Sequence, residues 1–167
     1  MATTIKQTEA IPASYPNGLG DHVWQRIEAY VAHRWTEREV IWTVEGPGEW
    51  SPPLTPATID TVEVWNGTGW ETCTAPDAPL GGFWLAGEGP YRFTATVGGG
   101  DVPAAVHEAA TRLSDYLAET ADMPAGTRSY SYQIGEIAER FRADPDATGK
   151  AMQNSGAADL LRSYRRA

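Results

Sequence analysis

Alternating hydrophobic and polar positions predict an antiparallel sheet in the middle of this chain. In residues 91–97 (YRFTATV) every second residue is apolar, and this period of two is typical of a strand with one buried face. Four further segments contain the β-branched and aromatic residues that strands favour, at residues 38–45, 58–65, 70–74 and 83–86. The sequence NGTG at residues 66–69 predicts a hairpin turn. We therefore expect a sheet of about four or five strands.

Apolar residues at three- and four-residue spacing predict a helix on each side of this sheet. The first is expected at residues 21–34, where Asp21 is a favourable N-cap and one face is broad and aromatic. The second is expected at residues 102–120, after three glycines at residues 98–100 that free the backbone to turn. Its Val-Pro start suits the first helical turn, where the fixed φ of proline is favourable.

The C-terminal third of the chain predicts two shorter helices. One is indicated by apolar residues at helical spacing, which are Ile134, Ile137 and Phe141. The other ends the chain, and Ser155 is a suitable N-cap for it. Its apolar face consists of Leu160, Leu161 and Tyr164.

These elements together predict an α+β fold. We expect a small helical bundle, made of the N-terminal helix, the Val-Pro helix and the C-terminal helices, with an inserted antiparallel sheet of about four or five strands. Residues 1–20 lack periodicity and predict a flexible N-terminal arm. Residues 21–125 then form a core of helix, sheet and helix, and residues 126–167 form a C-terminal helical segment.

The chain has seven tryptophans, an unusually large number for 167 residues. Those in the predicted sheet have three competing roles, which are core packing, anchoring of a neighbouring subunit and stacking against a sugar ring. Alternation puts Trp65 on the face opposite Val62 and Val64, so we expect Trp65 to point outward. Aromatic residues are favoured at subunit interfaces, and the candidates are Trp24, Tyr30, Trp35 and Trp65.

The chain is acidic, with a formal net charge of −9. This charge argues against a protein that grips nucleic acid by its phosphates, although an acidic channel would let DNA pass without sticking. Residues 126–167 contain seven basic and five acidic residues, which leaves +2 there and −11 on the rest of the chain. A basic terminus suits docking onto an acidic partner, and it equally suits cations that complement the C-terminal end of a helix.

The sequence contains no combination of residues that predicts catalysis. The single cysteine, Cys73, excludes an intrachain disulfide and a multi-cysteine metal site. His22 and His33 would lie about three turns apart on one helix, too far to share a metal. The patterns of a serine nucleophile and of a phosphate-binding loop are missing. We expect a protein that is not an enzyme, uses no cofactor or metal and does not span a membrane.

Two segments carry a resemblance to a known family. They are YRFTATVGGGDVPAAVHEAATRLSDYLAE, residues 91–119, and SGAADLLRSYRRA, residues 155–167. A strand that runs through glycine into a Val-Pro helix, followed later by a Leu-Leu-x-x-Tyr-Arg-like end, resembles the head–tail connector proteins of long-tailed phages and gene transfer agents. These are also called adaptor or head-completion proteins. The likeness in the order of the parts covers most of the chain from Asp21 onward.

This resemblance implies a structural protein of the virion neck that is made in the host cytoplasm. It implies a homo-oligomeric ring, expected to be dodecameric, that joins the portal protein to a stopper or tail-completion protein. DNA would pass through the ring without sequence-specific binding. The resemblance places the portal contact at Leu160, Leu161, Tyr164 and Arg165, and the charge of the segment adds Arg162 and Arg166.

Two other functions compete with this one. The first is a carbohydrate- or surface-binding module that uses the tryptophan-rich sheet, and it predicts a monomer with exposed tryptophans. The second is a small hydrolase, which is disfavoured because no pair of nucleophile and base is evident. The predicted helical C-terminal third distinguishes them, since a ring-forming protein has a use for it and a binding module does not.

Overall fold

The computed structural model describes residues 2–121, 130–134, 137–141 and 148–165. Contacts divide the chain into two compact units. The first unit is Met1–Pro16 together with Ala32–Asp101, and the second is Asn17–Val31 together with Val102–Ala167. The boundary predicted between residues 125 and 126 lies outside the described residues.

A five-stranded antiparallel sheet forms most of the first unit. The strands of this unit are β1 (Thr3–Glu9), β2 (Arg38–Glu45), β3 (Gly48–Trp50), β4 (Ala57–Trp65), β5 (Trp70–Thr72), β6 (Phe83–Leu85) and β7 (Tyr91–Val97). The order across the main sheet is β1-β2-β7-β4-β5, and each neighbouring pair is antiparallel. The short strands β3 and β6 form a separate two-stranded sheet.

One face of the main sheet packs into an aromatic and aliphatic core. Alternate residues of β2 and β7 are buried, and Val40, Trp42 and Phe93 have no exposed surface. Trp50 of β3 packs on Phe93, with 4.3 Å between the ring centroids. The period of two along β2 and β7 is the consequence of burying alternate residues in this core.

Residues 3–9, which the sequence assigns to a flexible arm, form the edge strand β1 instead. β1 pairs with β2 along its length, with a bulge between Thr4 and Lys6. Most of its side chains are exposed, so the sequence lacks the hydrophobic alternation that would predict a strand here. Its stability comes from main-chain hydrogen bonds to β2 and from polar side-chain contacts, which a local pattern does not encode.

The second unit contains the helices α1 (Asp21–Tyr30), α2 (Ala104–Ala121), α3 (Ala151–Asn154) and α4 (Ala157–Leu160). A single 3₁₀ turn follows α4 at Arg162–Tyr164. α2 contacts α1, α3 and α4, and its apolar face is buried at Val106, Ala109, Ala110 and Leu113. This unit also contains an antiparallel hairpin of β8 (Tyr130–Ile134) and β9 (Ile137–Phe141).

The predicted fold class, a helical bundle with an inserted sheet, is wrong. The five-stranded sheet, with the small sheet of β3 and β6, dominates the chain, which mixes helix and strand. Of the four α-helices in the described residues, only α2, with 18 residues, is long. The helix predicted at residues 134–141 is the hairpin β8–β9, because a short run of Tyr and Ile fits either period.

The last helix is also shorter than predicted. α3 and α4 have four residues each, and Gly156 between them adopts a left-handed conformation with φ 75°. A residue with positive φ cannot continue a right-handed helix, so the chain changes direction at Gly156. The result is two single turns and a 3₁₀ turn in place of one continuous amphipathic helix.

Candidate functional site

The C-terminal segment, residues 151–165, has one side fixed to its own unit and one side at the surface. Leu161 is fully buried, and Ala157 beside it is buried as well. Leu160 and Tyr164 are half-buried, whereas Arg162 and Arg165 are exposed. The two adjacent leucines therefore differ, and Leu161 is part of the core and not a surface available to a portal.

Polar contacts also hold this segment. Asn154 Nδ2 donates to the hydroxyl of Tyr116 on α2 at 2.9 Å. Arg26 Nη1 on α1 donates to the carbonyl of Thr148, just before α3, at 3.1 Å. The sequence offers no sign of either contact, because each joins residues far apart in the chain.

The structure brings together two residues that were predicted for different roles. The guanidinium of Arg165, a candidate portal contact, lies 4.6 Å from the ring centroid of Tyr30, a candidate subunit contact. Arg165 Nη1 also donates to the Tyr30 hydroxyl at 3.2 Å. The cation–π contact stabilises this position of the guanidinium modestly, and the charge of Arg165 remains at the surface. The candidate Arg166 lies outside the described residues.

Arg162 is the more loosely held cation of the pair. Its Nη2 lies 2.7 Å from Asp159 Oδ1, three residues earlier, and both side chains are mostly exposed. An exposed ion pair of this kind contributes little to stability, so Arg162 is able to exchange Asp159 for another acid at low cost. The described surface of the segment therefore exposes two cations, Arg162 and Arg165, and one acid, Asp159.

The other interface candidates separate into buried and exposed residues. Trp24 has no exposed surface, and Trp35 is 4% exposed. Trp24 packs edge-on against His107 of α2, with centroids 6.5 Å apart. These two tryptophans are therefore core residues. Trp65 is 39% exposed, as its position in the alternation predicts.

Trp65 belongs to an aromatic patch on the main sheet. Its ring meets that of Trp70 at 67°, with 5.5 Å between centroids, and Arg92 lies 4.5 Å from the centroid of Trp70. Arg92 Nε lies 2.6 Å from Glu63 Oε2, and this hydrogen bond lowers the pKa of Glu63 below its ordinary value. The two indole rings are not coplanar, so they do not form a flat stacking surface for a sugar.

An open groove of about 680 Å³ lies in the first unit beside β4. Its apolar lining includes Ile59 and Val62 of β4, with Ala75 and Phe83 opposite. Cys73 also lines the groove, and its pKa is raised by burial and by Glu63 and Glu71. The thiol therefore stays protonated at neutral pH, and no histidine is among the described lining residues to act as a base.

Metal and membrane sites are not found in the part of the chain that the structure describes. No group of three or more histidine, cysteine, aspartate or glutamate side chains there is arranged to hold a metal ion. No helix among the same residues is long and apolar enough to cross a membrane. No protein-family model and no curated protein sequence match this chain.

Proposed function

We propose that this protein is a structural adaptor of a virion neck. It forms a homo-oligomeric ring, expected to be dodecameric, that joins the portal protein to the stopper or tail-completion protein. The ring extends the DNA channel, and its role is mechanical and not enzymatic. It acts in the virion and is made in the host cytoplasm.

The anchored basic C-terminal segment is the observation that carries this proposal. Leu161 fixes the segment within the second unit, and Arg162 and Arg165 remain exposed on it. Because the backbone is already ordered, a partner binds these charges without the entropy cost of ordering a flexible tail. An acidic groove on the portal protein is the complementary surface.

The order of the elements supports the same proposal. The chain runs from α1 through antiparallel strands to α2, which Val102 and Pro103 precede, and then to the Leu-Leu-containing end. This is the order that the resemblance to head–tail connector proteins implies. The dominance of the sheet is a departure from the expected architecture, so the proposal draws on element order and on the terminal segment, and not on overall fold.

The acidic composition supports a channel through which DNA passes. With a net charge of −9, the chain as a whole repels phosphates. DNA inside a ring of such subunits would meet a repulsive wall and would not be retained. The proposal therefore assigns no DNA-binding residue to the protein.

The test is negative-stain microscopy of the protein mixed with the portal protein encoded beside it. We expect a second ring stacked on the portal with the wild-type chain, and a bare portal with Arg162→Glu combined with Arg165→Glu. Charge reversal is preferable to truncation of residues 155–167, because truncation would remove the buried Ala157 and Leu161 and unfold part of the second unit.

A matched control separates a local effect from a change in net charge. Arg112→Glu with Glu108→Arg reverses an exposed ion pair on α2 without changing the net charge. Arg112→Glu alone changes the net charge as much as either single variant, Arg162→Glu or Arg165→Glu, and is tested beside those single variants. We expect both control proteins to dock. A bare portal in the presence of folded wild-type protein would overturn the proposal.

Exposed tryptophans favour one alternative, a carbohydrate- or surface-binding module. Trp65 is 39% exposed and Trp84 is 46% exposed, both on the first unit. Trp42 and Trp50 are buried, which leaves few rings for sugar contact. Titration of tryptophan fluorescence with neutral sugars tests this alternative, which requires saturable quenching that disappears in Trp65→Ala or Trp84→Ala.

A further inference from the structure

At each outer edge of the main sheet, main-chain groups lack a partner strand among the residues that the structure describes. β1 pairs with β2 on one side only. β4 pairs with β7 along its length, but β5 reaches only Glu63, Val64 and Trp65 of β4 on the other side. Residues 57–61 of β4 therefore present main-chain groups that a further strand is able to bind.

The groove beside β4 gives that edge the shape of a binding site. Its lining includes Ile59 and Val62 of β4 and, from the chain that leaves β5, Ala75. On the opposite edge of the sheet, β1 offers seven residues with mostly exposed side chains. Ile5 of β1 is 59% exposed, an apolar side chain that a groove of this kind would shield from water.

Strand direction allows β1 of one copy to bind the β4 edge of another. Each of the three neighbouring pairs from β1 through β2 and β7 to β4 is antiparallel, so β4 runs opposite to β1. A second copy in the same orientation along the strands therefore brings its own β1 antiparallel to β4 of the first. The alternation of directions continues without interruption from one copy into the next.

Charge selects this pairing over pairing of like edges. Lys6 lies at the middle of β1, and Asp60 lies within the uncovered part of β4, and both are exposed. In a register centred on these residues, pairing of β1 with β1 would bring two Lys6 side chains close together, and pairing of β4 with β4 would do the same with Asp60. Like charges across strands are destabilising and opposite charges are favourable, so β1 fits β4 best.

We propose that β1 of one copy adds to the uncovered edge of β4 of the next copy, with Lys6 beside Asp60. The contact joins two different surfaces, so an open chain of copies has a free β1 edge at one end and a free β4 edge at the other, and it grows head to tail. Such a contact produces a ring when the rotation between copies closes. The closed ring rests on the proposed function, whereas the strand pairing itself does not.

Cross-linking of engineered cysteines tests the pairing. Ile5→Cys and Thr61→Cys are combined in a Cys73→Ser background and treated with a short bismaleimide, both alone and in the presence of the portal protein. Both altered strand positions are exposed, so the fold tolerates them. We expect a ladder of dimers, trimers and larger species on denaturing gels, because each copy has one reactive cysteine at each edge.

Single-cysteine proteins are the controls. Ile5→Cys alone and Thr61→Cys alone, in the same background, cannot form a ladder and should remain monomeric on the gel. Ile5→Cys with Thr68→Cys, at the exposed hairpin tip, should also give no ladder. Dimers from either single variant that match the yield of the double variant would show pairing of like edges and overturn the inference.

The outcomes separate this inference from the proposed function. A ring on the portal without a ladder means that the function stands and the strand pairing is wrong. A ladder without docking means that the strand pairing stands and the neck function is wrong. If neither the ring on the portal nor the ladder is observed, the proposed function and the strand pairing are both wrong.

Charge exchange gives a second test that needs no cross-linker. Lys6→Glu and Asp60→Lys should each shift the sedimentation of the assembly toward the monomer, and the two together should restore the wild-type distribution. Failure of the double variant to recover, when it folds as well as wild type, contradicts the pairing of these residues.

Discussion

Glu9 is the residue through which the N-terminal strand is tied to the sheet. Its carboxylate lies 2.6 Å from Arg34 Nε and 3.1 Å from Arg38 Nη1, and both arginine side chains are less than one-tenth exposed. The core tryptophans add two contacts to β1. Trp42 Nε1 donates to Gln7 Oε1 at 2.8 Å, and Trp50 Nε1 donates to Thr4 Oγ1 at 2.9 Å. Each indole thereby keeps its polar group satisfied.

Replacing Glu9 with Gln removes the carboxylate that both buried arginines contact. We expect the free energy of unfolding to fall by about 3 kcal/mol, the lower end of the cost of breaking a buried ion pair. The lower end applies because Glu9 keeps 21% of its side chain exposed. Urea denaturation measures the change. The exposed Glu39→Gln on β2 is the control, and an equal loss there would contradict the role of Glu9.

Cys73 should react slowly with thiol reagents in the folded protein. Burial and the nearby Glu63 and Glu71 raise its pKa, so a smaller fraction is thiolate at any pH than for an ordinary cysteine. We expect the alkylation rate by iodoacetamide at pH 8 to be below that of the same chain in urea, and to keep rising as the pH increases further. A folded-state rate equal to the unfolded rate would show that the groove does not protect the thiol.

At the scale of elements, the joint between β7 and α2 depends on glycine for two different reasons. Gly98 has φ 97°, a conformation that residues with a Cβ rarely adopt, and its main-chain nitrogen donates to the carbonyl of Pro56. A Cβ at this position would also press against the main chain of Thr36. Gly100 has φ 87°, but nothing lies within 4 Å of where its Cβ would be.

Gly98→Ala and Gly100→Ala should therefore differ in stability. Both variants carry the cost of positive φ, on the order of 1–3 kcal/mol, and only Gly98→Ala adds a clash with the Thr36 main chain. We expect Gly98→Ala to have the lower free energy of unfolding, as measured by urea denaturation of the two proteins side by side. Equal losses would mean that φ alone explains the need for glycine at this joint.

At the scale of the whole molecule, the uneven charge distribution bears on the partners that the proposed function names. The formal net charge of the whole chain is −9, to which residues 126–167 contribute +2 and the other residues −11. Exposed charges are screened by salt, and the Debye length shortens from about 10 Å at 0.1 M to about 3 Å at 1 M. A docking contact made by Arg162 and Arg165 is therefore sensitive to salt, whereas packing of Leu161 within its unit is not.

Binding to the portal protein should weaken as salt increases, and duplex DNA should not bind at all. We expect the portal dissociation constant to increase between 50 mM and 500 mM NaCl, because the proposed contact is made by exposed cations. Pull-down at a series of salt concentrations measures the first effect, and gel mobility of duplex DNA measures the second. Salt-independent docking, or a DNA shift that salt abolishes, would contradict this assignment of charges.

The sequence predicts α1, α2, β2 and β7 because each of them buries one face. An element with one buried face has apolar residues that recur with the period of a helix or a strand. β1 is not predicted because its side chains are mostly exposed and its partner residues on β2 lie 31 to 42 positions away in the sequence. The candidate site in the C-terminal segment is only partly predictable, because contacts with distant residues decide which of its side chains are buried. Leu160 and Leu161 are alike in sequence, and only the folded segment shows that Leu161 is the buried one.

Composition and local periodicity are already present in the amino-acid chain, and they account for its charge, its single cysteine and its main helices and strands. The single cysteine and the acidic charge are compositional properties that hold whatever the chain folds into, and the helical period after Val102 and Pro103 is a local property of the sequence. The tertiary structure decided the fold class, the tie between Glu9 and two arginines, and the stacking of Arg165 on Tyr30. It also decided which strands lie at the edges of the main sheet. These features join distant residues, and only the packing of the folded chain brings such residues into contact.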